Sequence, residues 1–409
     1  MKSLTKKIFG WTIYDLANTA FSALYVTFFF PLLIKVYLGG NEFHVGLVTS
    51  LGIFFAGAFV PFIGALSDST GRKMPYVIFF TLLCVTATAL TPYVGLYGAL
   101  ILGVLATLTF HASLDVYDAI LVDISTKKNM SKISGYGVAV GYIGTILSLI
   151  MAYILMSILG WDTEVGVKSI FPATAIFFLG FAMITFVIVK DKVKKATIKL
   201  KEGIKKAWSA LKSTFVEIRK HRSLFIFLIA CLLYTDGMNT AIVFLYLYGR
   251  EQIGISMINF FYAYAGMALT AALGSVIFGR LGDKLGSKKS IVIALWIWIG
   301  IISLLRWIEP ISLFIRISNV VTFIVAGCLG GAALGAIWTL NRPMLVHLSP
   351  KHKVAEFFGF QGLTEKFSGL IGPSLFGFVV VKAGYPPALM VLMAFFVIGL
   401  GIMWFVPNK

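Results

Sequence analysis

Apolar runs long enough to cross a bilayer follow one another along almost the whole chain, and one long stretch, Lys190 to Arg222, breaks the pattern. It carries twelve Lys or Arg against Asp191, Glu202 and Glu217, close to the midpoint of 409 residues. Mean hydropathy is +0.92 and 59% of residues are hydrophobic, more apolar surface than a water-soluble domain can hide. In lipid every backbone polar group must be satisfied internally, and a helix needs about 20 apolar residues to cross. On that ruler the chain reads as an all-α membrane protein with twelve transmembrane helices. The spans fall at about 10–38, 44–66, 75–92, 96–122, 133–159, 169–189, 223–248, 256–279, 289–308, 312–343, 356–382 and 385–406.

The charge pattern orients these spans. The net charge of +18 lies in short segments between apolar runs, which fits a membrane surface and argues against nucleic acid. With the N-terminus inside, the inner segments hold 27 Lys and Arg and the outer segments 5. This asymmetry predicts cytoplasmic termini and a cytoplasmic central loop, in a multi-pass protein of the cell membrane. Lys2, Lys6 and Lys7 precede an apolar run too long for a signal peptide, so that run is expected to remain as the first span. Cys84, Cys231 and Cys328 fall inside apolar runs, which argues against a disulfide framework.

The central stretch is more than a spacer. Ile204, Trp208, Leu211, Phe215 and Ile218 recur at spacings of 4, 3, 4 and 3 with lysines between them, the pattern of an amphipathic helix on a membrane surface. The expected organisation is therefore a six-helix half over 1–189, a basic linker over 190–222 and a second six-helix half over 223–409.

The two halves echo one another. Tyr14-Asp15-Leu16-Ala17-Asn18 returns as Tyr234-Thr235-Asp236-Gly237-Met238-Asn239, GALSDSTGRK (64–73) as GRLGDKLGSKK (279–289), and LVDIS (121–125) as LVHLS (345–349). A repeat of six spans keeps the same orientation in the membrane, which predicts a pseudo-two-fold axis along the membrane normal.

Within the spans, ionisable side chains are costly and tend to face a cavity or a partner. Asp15 and Asn18 lie one turn apart on span one, and Asp236 and Asn239 repeat the pair on span seven. On span four, His111, Asp115 and Asp118 share one helical face at i, i+4 and i+7. Arg342 on span ten is the repeat counterpart of Asp118 with opposite charge, and Glu365 and Lys366 lie on span eleven. These ten residues are the expected substrate and proton cavity. The glycines of spans five and eleven, Gly137, Gly141, Gly369 and Gly372, read as close-packing positions.

Gly64, Asp68, Gly71 and Arg72, with Gly279, Asp283 and Gly286 in the second copy, resemble the loop signature of the major facilitator superfamily. There the aspartate is expected to lock one conformation against the positive end of a neighbouring helix. Trp11 to Phe21 with Pro31, Ser134-Gly135-Tyr136-Gly137, and Ala355 to Phe360 with Lys366 and Gly372 to Gly377 resemble the autophagy-linked vacuolar effluxer branch. The chain departs from that pattern at Leu16, Asp118 and Glu365, the last two adding carboxylates. The resemblance implies that spans 1, 4, 7 and 10 line the central cavity, and it points to amino-acid efflux.

The reading is a secondary transporter that works by alternating access, moving a small polar solute such as an amino acid or organic anion with proton coupling. It needs a bilayer, a small-molecule substrate and an ion gradient, with no cofactor or metal, and is expected to be a monomer. An intramembrane enzyme is disfavoured by five scattered histidines and the lack of an HExxH or GxSxG-like motif. A channel is disfavoured because two unlike halves make no symmetric pore ring. A membrane sensor with a transporter fold stays open, as does a transporter of sugars, nucleosides or drugs.

Overall fold

Backbone groups that find no water in a bilayer bond to each other, and helices carry nearly all of the described residues. The computed structural model describes residues 2–70, 72–125, 130–191, 200–349, 357, 364 and 367–407. The helices are α1 (Lys2–Ala20), α2 (Glu42–Thr70), α3 (Met74–Leu90), α4 (Leu96–Ile124), α5 (Met130–Leu159) and α6 (Glu164–Ile188). The linker helix α7 (Leu200–Lys220) follows. After it come α8 (Arg222–Tyr248), α9 (Met257–Leu285), α10 (Ser287–Arg306), α11 (Ile308–Ile315), α12 (Asn319–Leu348), α13 (Gly372–Ala383) and α14 (Tyr385–Trp404). Among the described residues, eleven helices are long and apolar enough to cross a membrane.

Several boundaries differ from the hydropathy reading, each for a local reason. The first span continues from α1 through a π-helical stretch, Phe21–Phe29, and a second one, Leu33–Tyr37. Pro31 sits between them; it cannot donate to the helix ladder, and a wider turn absorbs the lost bond. Span ten does not begin at 312. The apolar residues there belong to the short α11, and Arg316, in the left-handed region at φ 56°, turns the chain before α12 starts at Asn319. Span eleven is not one helix through 382. Residues 368–371 are non-helical, Gly369 sits at φ 97°, and α13 starts at Gly372 with Pro373 in its first turn. At 12 residues α13 is too short to cross a bilayer alone.

The chain divides into two compact units, Met1–Gly40 with Leu51–Ala210, and Asn41–Ser50 with Leu211–Lys409. In the first, α1 packs on α5 and α6, and α3 on α4 and α6. In the second, α8 packs on α13 and α14, and α10 on α12 and α14. Taken in repeat order these are the same four pairings. Small residues allow the closest approaches: Gly274 faces Ala332, and Gly335 lies under the Ala271 carbonyl, so α9 and α12 meet backbone to backbone. Aromatic pairs fill the cores, with Trp11 stacked on Tyr117 at 4.7 Å and Trp298 on Phe396 at 5.0 Å.

Candidate functional site

Each unit fixes its polar helix by a buried clamp. In the first, the Trp11 indole Nε1 donates to the Tyr117 carbonyl (3.2 Å) and the Tyr117 hydroxyl donates to the Trp11 carbonyl (2.8 Å). These reciprocal bonds set the rotation of α4 against α1. In the second, the Tyr234 hydroxyl donates to Asn341 Oδ1 (2.7 Å), and Asn341 Nδ2 donates to Cys231 Sγ (3.3 Å). These bonds set α12 against α8 in the same way.

The residue after each clamp is turned about 100° around its helix. Those residues are Asp118 and Arg342, and both are exposed. Asp115 and His111, one and two turns back along α4, are half-buried. An exposed carboxylate and an exposed guanidinium thus stand at matching places in the two units, each backed by a rigid aromatic or amide anchor. A guanidinium offers a planar, two-pronged grip on a carboxylate, and a carboxylate can carry a proton.

The paired Asp and Asn of α1 and α8 are used differently. Asp15 accepts from Asn18 Nδ2 (3.3 Å), and its side chain lies against Gly137 of α5. Nearby, Thr19 donates to the Gly141 carbonyl (2.9 Å). Asp236 is buried, 3% exposed. It accepts from the backbone N–H of Gly369 (2.8 Å) and of Gly372 (3.0 and 3.1 Å to its two oxygens). Asn239 Nδ2 donates to the Ser368 carbonyl (3.1 Å) and hydroxyl (3.2 Å). Asp236 and Asn239 thus hold the interruption in span eleven. The carboxylate satisfies the orphan donors of α13 and faces the positive end of its dipole. A side chain at Gly372 would run into Thr240 and Asp236.

Among the loop residues, Arg72 and Asp283 are exposed and Gly286 turns the chain at φ 88°. Gly64 and Asp68 lie on α2, where the Asp68 side chain is outside the described residues, as are Gly71, Glu365 and Lys366. A different carboxylate sits at the start of α3: Asp191 accepts from the N–H groups of Lys73 and Met74, each at 3.1 Å. The Lys73 ammonium in turn donates to Asp123 (2.7 Å) and the Ala119 carbonyl (2.6 Å). In the second unit Lys288 reaches the Trp404 carbonyl (3.3 Å) and that of Val406 at the end of α14. A hydropathy reading sees only a basic loop at both places.

One further buried carboxylate escaped the sequence. Glu42, 3% exposed, accepts from the Tyr385 hydroxyl at 3.1 Å. Nothing in the spacing of these two residues signals the contact. Among the described residues no group of three His, Cys, Asp or Glu side chains is arranged to hold a metal ion.

A family model described as "Vacuole effluxer Atg22 like" matches residues 122–409. The chain belongs to this family. This Atg22-like protein is also 28% identical over its whole length to the uncharacterized MFS-type transporter YxiO of Bacillus subtilis, covering 96% of that relative. Its structure resembles a D-xylose-proton symporter at a TM-score of 0.74 with 13% identity, over 99% of this chain and 98% of the symporter. It resembles the nucleoside transporter NupG at 0.72 with 13% identity, over the full length of both. At that identity the two structures speak for fold alone, the major facilitator fold. Family and fold are those of transporters, and the Atg22-like chain is a multi-span membrane protein of that type.

Proposed function

We propose that this Atg22-like protein is a secondary active transporter that moves a small polar solute, an amino acid or an organic anion, by alternating access coupled to protons. The observation that carries the reading is the matched placement of Asp118 and Arg342, each exposed and each one residue beyond a buried clamp. In this scheme Arg342 grips a substrate carboxylate and Asp115 or Asp118 carries the proton. Twelve spans related by a two-fold axis along the membrane normal, with both termini cytoplasmic, complete the arrangement.

The test is flux in proteoliposomes. Amino acids and organic acids are presented one by one across a bilayer with no imposed gradient, and an internal dye reports proton movement. One class of carboxylate-bearing solute is expected to move protons with it, and Asp118→Asn to uncouple the two. Solute flux that ignores pH would remove the proton from the scheme.

Nucleoside and sugar are the solutes named for the two structural neighbours, and they support a second reading in which the solute is neutral. A neutral solute offers no carboxylate for Arg342 to hold, so Arg342→Lys would then change the apparent KM less than for an anion.

A further inference from the structure

The linker helix α7 carries a feature that the transport reading does not use. At 3.6 residues per turn, Lys201, Lys205, Lys212 and Arg219, spaced 4, 7 and 7 apart, fall on one line along the helix. That line borders the apolar positions 204, 208, 211 and 215 on one side only. The opposite border is made of Gly203, Ala207, Ala210 and Thr214. Lys205, Lys212 and Arg219 are exposed, and so is Trp208, at 54%. Arg219 also lies 5.9 Å from the ring of Phe225 at the start of α8.

The two acidic residues of α7, Glu202 and Glu217, lie off this line. Glu217 accepts from Lys220 at 2.9 Å. The C-terminal end of the helix is also anchored. Ile218 is fully buried, and only His221 separates α7 from the membrane-length helix α8 that begins at Arg222.

We propose that this edge of α7 docks on the anionic phospholipid headgroups of the bilayer, with Trp208 seated at the interface and the Lys205–Lys212–Arg219 line over the phosphates. Charge complementarity selects the occupant. A one-sided row of cations beside an exposed indole fits a flat negative surface, and an indole is at home where one end is apolar and the other wet. Each basic residue at an anionic surface contributes about fivefold to the association, about 1 kcal/mol. Two lysines together are then worth about 25-fold.

The test uses the full chain in nanodiscs of phosphatidylcholine, with and without phosphatidylglycerol, and follows hydrogen exchange of the amides of 200–217. Slower exchange in the anionic discs, by about tenfold or more, is expected. It should be lost at high salt and lost in the Lys205→Gln, Lys212→Gln double variant. Lys220→Gln, off the line, should retain it. Unchanged exchange in the α8 core reports that each variant is folded. Equal exchange in the two lipid mixtures would overturn the proposal, as would a double variant that keeps the difference. Protection that appears in neutral discs only when RNA or poly-glutamate is added would give the line to a soluble partner and equally overturn it.

Discussion

Removing the Asp236 carboxylate should free the start of α13. The side chain is the acceptor for the N–H groups of Gly369 and Gly372 in a site only 3% exposed. In Asp236→Ala both donors are left without a partner in a place that water barely reaches. Each unsatisfied buried donor costs about 1–3 kcal/mol, and bonds to a charged acceptor are the stronger kind. The two together put the loss at about 3–5 kcal/mol, falling on the local opening of residues 368–373. Hydrogen exchange by mass spectrometry reads this directly, since 3 kcal/mol of lost local stability accelerates exchange by about 150-fold. Asp236→Asn keeps the shape and one acceptor but loses the charge, so an intermediate acceleration is expected. Asn239→Ala removes a donor to Ser368 instead and should leave the Gly372 amide close to wild type. If the Gly369 and Gly372 amides exchange at the wild-type rate in both Asp236 variants, the carboxylate does not hold the interruption and the reasoning fails.

Other perturbations test neighbouring parts of the argument. Gly137→Ala drives a methyl group into Asp15 and Trp11, and should lower stability by about 1–3 kcal/mol in thermal unfolding. Gly180→Ala, with open space at its Cβ position, should be neutral or slightly stabilising. Asp191→Ala strips the cap from α3 and should cost about 0.5–2 kcal/mol by the same assay. Arg342→Lys keeps the charge and loses the two-pronged grip. It is expected to fold normally and raise the apparent KM about tenfold, about 1.4 kcal/mol, whereas wild-type flux in both Arg342→Lys and Arg342→Ala would sink the carboxylate-binding role.

The parts legible in the sequence are those set by the bilayer. Span twelve reads as 385–406 and the helix is Tyr385–Trp404; span nine reads as 289–308 and the helix is Ser287–Arg306. Hydropathy finds such helices because lipid rewards the whole run. It overshoots at span ten because the apolar Leu313 and Phe314 belong to a separate short helix, and the polar turn at Arg316 and Ser318 is too short to end an apolar window. The equivalence of Asp118 and Arg342 was legible too, from repeat spacing, but the clamps behind them were not. Those rest on Trp11, Tyr117, Tyr234 and Asn341 meeting across helices, and no local pattern encodes such a meeting.

The sharpest divergence lies in the Asp–Asn pair that both halves carry. Equal motifs suggest equal jobs, and on charge alone both pairs read as cavity residues. What separates them is the helix opposite. On one side α5 runs unbroken over Met130–Leu159, so Asp15 meets no orphan amide there and packs on a glycine. On the other side Gly369 and Pro373 interrupt span eleven, and the amides that the break leaves without a helical partner at the head of α13 capture Asp236. Gly369 and Gly372 read as packing positions, and with Pro373 they also spell a chain break. A carboxylate one turn before an asparagine does not reveal whether its partner will be a proton, a substrate or a backbone N–H. That depends on whether the facing helix has a free end, which makes the glycine and proline content of the partner span the feature to read first when such repeats are compared.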